Sequence, residues 1–202
     1  PLWNTYAIGY VEYWEPNAMS LCYEDQLTTV SLVGSEWLPE SPDPQNAIRT
    51  YKYDEDGNML WRARYRASYG GLAEDVVMDD SGNVYVVGAD FVQDVPPQGR
   101  AIILRYNAVG TAGNIGIIDW SKTVKGNSTF PSWLNFFRGA VRSQGYIYVT
   151  GDVSDAPASG GVNLITRKYN PQTGALIWSQ KFAGVNVDQG YDIANDNAGN
   201  VY

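Results

Sequence analysis

Short runs of alternating apolar and polar residues recur along the chain, each bounded by Asp, Asn or Gly. The clearest is Gly82-Asn83-Val84-Tyr85-Val86-Val87-Gly88. A strand of this sequence puts Val84 and Val86 on one face and Tyr85 and Val87 on the other. Both faces are then apolar, as in a sheet held between two neighbours. Related runs are Gly145-Tyr146-Ile147-Tyr148-Val149-Thr150-Gly151 and Gly199-Asn200-Val201-Tyr202, with a weaker copy at Val30-Ser31-Leu32-Val33-Gly34. Around the best copy the pattern predicts four short strands, at about 47–53, 58–65, 73–79 and 83–89. The intervening Asp54-Glu55-Asp56-Gly57 and Asp80-Ser81-Gly82 carry the Asp and Gly chemistry that closes hairpins.

The strands belong to a long-period repeat. Trp3, Trp61, Trp120 and Trp178 are 58, 59 and 58 residues apart. Gly57, Gly116 and Gly174 each precede a Trp by four, and Leu2, Leu60 and Ile177 precede theirs by one. Upstream stands a basic-Tyr-Asp/Asn triplet: Lys52-Tyr53-Asp54, Arg105-Tyr106-Asn107 and Lys168-Tyr169-Asn170. The copies are read as 1–34, 47–89, 100–152 and 161–202, with polar, Pro-containing crossings at 36–46, 92–100 and 154–161 as the inter-unit loops. Extra residues within 108–115 predict a longer loop in the third copy. Four-stranded antiparallel units that are apolar on both faces cannot bury them alone, so they stack around an axis. The expected fold is therefore all-β, a β-propeller of four-stranded antiparallel blades with about three and a half blades present. Because the last copy stops inside a strand, the chain is expected to be part of a larger propeller.

The Lys/Arg-Tyr-Asp, Gly-x-x-Leu-Trp and Asp-x-Ser-Gly-Asn-Val-Tyr-Val-x-Gly signatures resemble the bacterial seven-bladed β-propeller repeat family, best in Tyr51 to Gly88 and across nearly the whole chain. Thr173-Gly174-Ala175-Leu176-Ile177-Trp178 is also similar to the tryptophan-docking repeat of quinoprotein propellers. That resemblance implies that Trp3, Trp61, Trp120 and Trp178 are structural wedges between blades.

Composition narrows the function. Histidine is absent, which removes the Ser/His/Asp relay, Cys/His pairs and His-ligated metals. The lone Cys22 can form neither an intrachain disulfide nor a CxxC pair, and reads as a small buried residue. With 14 Lys+Arg against 22 Asp+Glu the net charge is −8, unsuited to nucleic acid or an anionic membrane. No apolar run approaches the roughly 20 residues of a helical membrane span.

Three sets of residues could carry chemistry. Asp54, Asp56 and Asn58 with Gly57 form half of a calcium loop, but Tyr65 stands where the bidentate Glu belongs. Calcium is thus the one cofactor considered, against a plain Asp/Gly turn. Glu74, Asp75, Asp188 and Asp192 are candidate paired acids. Asp75 and Asp192 occupy equivalent positions, so they read as repeat-borne rather than catalytic. The aromatics Trp14, Trp37, Phe130, Trp133, Phe136 and Phe137 fall off the periodic strands and are the candidate contacts for a protein or glycan partner. The expectation is a non-catalytic scaffold or recognition module of a secreted, cell-surface or particle-surface protein. The alternatives are a fragment of a glycosidase-like or quinoprotein-like propeller enzyme with its catalytic residues elsewhere, and a structural subunit of an extracellular filament or virion that contacts neighbouring subunits.

Overall fold

The computed structural model describes residues 13–24, 27–38, 45–92, 98–126, 135–155, 161–184 and 187–202, with backbone alone at 13–16, 22–24, 27–28, 36–38, 45 and 98. All twelve elements in these residues are strands. They are β1 (Tyr13–Glu24), β2 (Leu27–Leu38), β3 (Gln45–Tyr53), β4 (Met59–Tyr65), β5 (Gly71–Met78), β6 (Val84–Val92), β7 (Gln98–Tyr106), β8 (Ile118–Val124), β9 (Phe136–Ser143), β10 (Tyr146–Ser154), β11 (Val162–Tyr169) and β12 (Leu176–Phe182). They form three four-stranded antiparallel sheets, β1-β2-β3-β4, β5-β6-β7-β8 and β9-β10-β11-β12. Trp3 lies outside the described residues.

The predicted strands are present, but the sheet boundary falls half a repeat from where the sequence copies were divided. The 47–89 unit contributes β3 and β4 to the first sheet and β5 and β6 to the second. The crossings at 36–46, 92–100 and 154–161 consequently join strands within one sheet, pairing β2 with β3, β6 with β7 and β10 with β11. The chain passes between sheets at 66–70 and 125–135.

The second sheet is buried on both sides. Val84, Val86, Ile102, Leu104 and Tyr106 pack with Val33, Ile48 and Trp61 of the first sheet. From the opposite face Tyr85, Val87, Ala101 and Ile103 pack with Phe137, Ile147, Val149 and Ile165 of the third. At roughly 25 cal/mol per Å² of apolar surface removed from water, these two interlayer cores are the main favourable term in folding.

Tryptophan and glycine register one sheet against the next. Trp61 donates its indole N–H to the Ala108 carbonyl at 3.1 Å, and Trp120 donates to Pro171 at 3.0 Å. A Cβ at Gly116 would stand 2.6 Å from Trp61 Cε3, and one at Gly174 would stand 2.8 Å from Trp120 Cδ2. The glycine four residues before one Trp is thus the floor for the Trp of the preceding sheet. Trp61 is wholly buried because the long β7–β8 loop wraps it, while Trp120 and Trp178 are half-buried. That loop also pairs with the outer edge of β4. Arg62 N–H donates to Asn114, and Gly116 N–H donates back to Arg62, each at 2.9 Å. The pairing covers backbone groups that an edge strand would leave open.

Buried polar groups link the layers further. Lys52, 2% exposed, donates to the Gly82 carbonyl at 2.7 Å. Tyr65 donates its hydroxyl to Asp90, which also accepts a two-pronged bond from Arg100. Every group of this buried set is partnered, which such burial requires.

Candidate functional site

The first strand of each sheet carries the same irregularity. In β1 the pairing with β2 skips Asn17, since Pro16 faces Gly34 and Ala18 faces Val33. In β5 it skips Glu74, and in β9 it skips Arg138. The residue opposite is Gly34, Gly88 or Gly151 in turn. At Gly88 and Gly151 a side chain would collide with the carbonyls of Leu72 and Phe136 that the bulge pushes inward. A bulge of this kind re-aims one side chain out of the strand's alternation.

The bulge residues form a row, since β5 packs against both β1 and β9. Glu74 and Arg138 approach to 3.9 Å, with side chains 28% and 18% exposed. Beyond them lies Tyr191. It precedes Asp192 as Glu74 precedes Asp75, and each of these aspartates accepts the N–H of the residue that follows it at 2.7 Å. The Tyr191 ring is 69% exposed, with its centroid 5.4 Å from the Arg138 guanidinium carbon. The scaffold repeats at these positions while the side chains do not: Asn17, Glu74, Arg138, Tyr191.

Arg138 is held from several sides. Its Nε donates to Asp152 Oδ1 at 2.7 Å, and its guanidinium lies 4.7 Å over the Phe136 ring. Asp152 is fully buried and follows Gly151 where the second sheet has Ala89 after Gly88. Its other oxygen, Oδ2, is buried without a hydrogen-bond partner. Burial pushes the Glu74 carboxyl above its ordinary pKa, Arg138 pulls it down, and the Asp152 charge adds to the rise.

Those residues singled out from the sequence that fall within the described ranges have defined places. Phe136 and Phe137 are β9 strand residues, not an exposed loop cluster. Phe137 is fully buried in the core between the second and third sheets, and Phe136 lies edge-on to Phe91 at 6.2 Å beneath Arg138. They occupy the first-strand positions of Leu72 and Ala73, where side chains fill the space between layers. Trp14 and Trp37 lie within β1 and β2, not in insertions, with their side chains outside the description. Phe130 and Trp133 lie outside the described residues.

Asp54, Asp56 and Asn58 form a closed turn. Asp54 accepts the N–H groups of Asp56 and Asn58 at 3.1 and 2.8 Å and the Asn58 side-chain amide at 3.0 Å. These bonds, led by that from the Asn58 amide, hold the Asp54 carboxyl below its ordinary pKa. Asp79 and Asp196 make the same turn and also accept the hydroxyls of Tyr85 and Tyr202. The shared glycine, Gly57, Gly82 or Gly199, has φ of 83°, 69° or 87°. The recurrent Asp-x-x-Gly-Asn sequence is therefore a self-capping hairpin turn. Among the described residues no group of three His, Cys, Asp or Glu could hold a metal ion.

Asp75 joins two sheets, its Oδ2 accepting the N–H of Ala140 in β9 at 2.8 Å. Burial raises its carboxyl above the ordinary value against the pull of the Ala140 and Val76 N–H groups. Asp188 accepts the Gly184 N–H within the connection that leaves the third sheet. A cavity of about 220 Å³ opens beside Asp192, lined by Thr150, Thr166, Ile193 and Tyr202. Its Thr150 hydroxyl is engaged by Ile165 and Thr166.

The bulge row escaped the sequence reading because its residues share no chemistry from copy to copy. The available signal was the glycine closing each second strand, Gly34, Gly88 and Gly151. No family model matches the chain, and no curated protein does.

Proposed function

We propose that the chain is an arc of a β-propeller, built from repeats similar to the bacterial seven-bladed propeller repeats. In this reading it is a non-catalytic scaffold and recognition module of a secreted, cell-surface or particle-surface protein that binds a protein or glycan partner. Three sheets stacked through both faces, with their first strands adjacent, are compatible with such an arc. The observation that carries the recognition role is the bulge row, where a repeated backbone device presents three unlike side chains, Asn17, Glu74 and Arg138, with Tyr191 beside the last. Constant framework with variable contact residues is how a fold carries a function of its own.

The arrangement at Arg138 supports binding over hydrolysis. Glycosidic cleavage needs two carboxyls flanking the bond. Of the two acids beside Arg138, Glu74 reaches solvent and Asp152 is wholly buried. Incubating the protein with a panel of nitrophenyl glycosides tests the reading: no nitrophenol release above the blank is expected, and steady release would overturn it.

A second reading, a subunit of an extracellular filament or virion, draws on the outer strands. Met59, Ile118 and Leu176 are exposed at matching positions, two residues before Trp61, Trp120 and Trp178. It predicts concentration-dependent self-association, read by light scattering and abolished by charges at Met59, Ile118 and Leu176.

A further inference from the structure

The bulge row offers a donor, an acceptor and an apolar plate side by side. We infer that Glu74, Arg138 and Tyr191 form a saccharide site selective for neutral sugars, with Asp152 as the residue that positions Arg138. The inference rests on the recognition reading above and names its ligand class.

The chemistry follows from what each side chain leaves unused. The structure gives Arg138 bonds through Nε to Asp152 and through Nη1 to Glu74 at a loose 3.9 Å, so its outer N–H groups remain available as donors. Glu74 has one carboxylate oxygen in that contact, and its side chain is 28% exposed. A guanidinium beside a carboxylate matches a vicinal diol, whose hydroxyls each donate and accept. The exposed Tyr191 ring lies within reach of the same guanidinium and supplies a surface for the apolar C–H face of a pyranose.

The independent observation is the orphaned Asp152 Oδ2. A buried acceptor without a donor is unfavourable. It lies on the carboxylate that grips Arg138, at a position where the second sheet has alanine, so the strain is specific to this site. Oδ2 is itself shielded from solvent, so Asp152 serves the site by fixing Arg138 through Oδ1. Charge then sets selectivity. Glu74 and Asp152 outnumber Arg138, Asp75 follows Glu74 on β5, and Asp192 follows Tyr191 in the chain. A uronic or sialic carboxylate would meet like charge.

The test is saturation-transfer NMR on the full chain with methyl glucoside, galactoside, mannoside, N-acetylglucosaminide and glucuronide. Transfer is expected to at least one neutral glycoside and not to the glucuronide. Tyr191→Ala and Glu74→Gln should each weaken binding by about tenfold, while Asp56→Ala in the distant turn leaves it unchanged. Circular dichroism establishes that each variant is folded. No transfer to any neutral glycoside, equal transfer in Tyr191→Ala, or preference for the glucuronide would overturn the inference. Equal transfer in Tyr191→Ala would leave recognition standing with its site elsewhere, whereas release of free sugar would overturn the non-catalytic reading itself.

Discussion

The indole of Trp61 rests on Gly116 of the following sheet, so closely that a methyl group there would lie 2.6 Å from Cε3. Trp120 and Gly174 repeat the relationship one sheet later. Gly116 and Gly174, which precede Trp120 and Trp178 by four, are therefore contacts between layers rather than features of one hairpin. Gly116→Ala should destabilise the protein by about 1–3 kcal/mol through overpacking. Denaturant unfolding followed by tryptophan fluorescence measures it. An unchanged midpoint would show that the layers are not seated this way.

The long β7–β8 loop explains why Trp61 is wholly buried and Trp120 is not. Replacing 107–117 with the short turn that joins β11 to β12 should bring Trp61 to a half-buried state. Its emission should shift to the red and become quenchable by acrylamide, and the Arg62 amide should exchange faster once Asn114 no longer accepts its proton.

Asp79 and Asp54 close the same turn at different depths. Asp79 is 9% exposed and accepts from Ser81, Asn83 and Tyr85, whereas the Asp54 turn is exposed. Asp79→Ala leaves buried donors unpaired and should cost about 1–3 kcal/mol. Asp54→Ala should cost clearly less, because water replaces the lost acceptor. Thermal melts of the two variants compare them directly.

Much of this framework was legible because it is local. The Val84/Val86 and Tyr85/Val87 division of faces follows from period-two alternation alone, and the Asp-x-x-Gly-Asn turns follow from side chains a few residues apart. The phase of the sheets was not legible. A cyclic series of four similar strands reads the same when shifted by two, and what decides it is whether 66–70 or 92–100 crosses between layers. The Pro and polar residues of 92–100 suggested the wrong one. The bulge row was hidden for a related reason: one extra residue at Glu74 or Arg138 breaks the alternation from which exposure is read. Phe136 and Phe137 misled in the same way, since two adjacent aromatics beside a bulge look like an insertion when they are a strand.

Asp75 gives the protein a distinctive response to pH. Its carboxyl sits above the ordinary value of 3.8 in the folded chain, chiefly because burial disfavours the anion. Between the ordinary and the raised value the native state holds the proton that the unfolded chain releases, so this group's contribution to stability falls as pH rises through that window. Asp54 and Asp196 act oppositely. Hydrogen bonds hold their carboxyls low, so their contribution is present above the ordinary value and is lost as pH falls through the native one. Asp75→Asn can still accept the Ala140 N–H, and should remove the Asp75 part of the profile without loss of stability at pH 7. Asp75→Ala should lose the inter-sheet bond and melt lower. Urea unfolding of both variants from pH 3 to 7 resolves the two effects.

On the proposed function, the framework holds the fold while the bulge positions carry recognition without being needed for stability. A variant combining Asn17→Ala, Glu74→Gln and Tyr191→Ala tests it most directly, melted beside Trp61→Ala by differential scanning calorimetry. The triple variant should melt within a few degrees of the parent, against a Trp61→Ala variant destabilised by about 3–5 kcal/mol of lost core. A triple variant that unfolds as readily as Trp61→Ala would contradict it, because the row would then be part of the structure rather than a surface the structure displays.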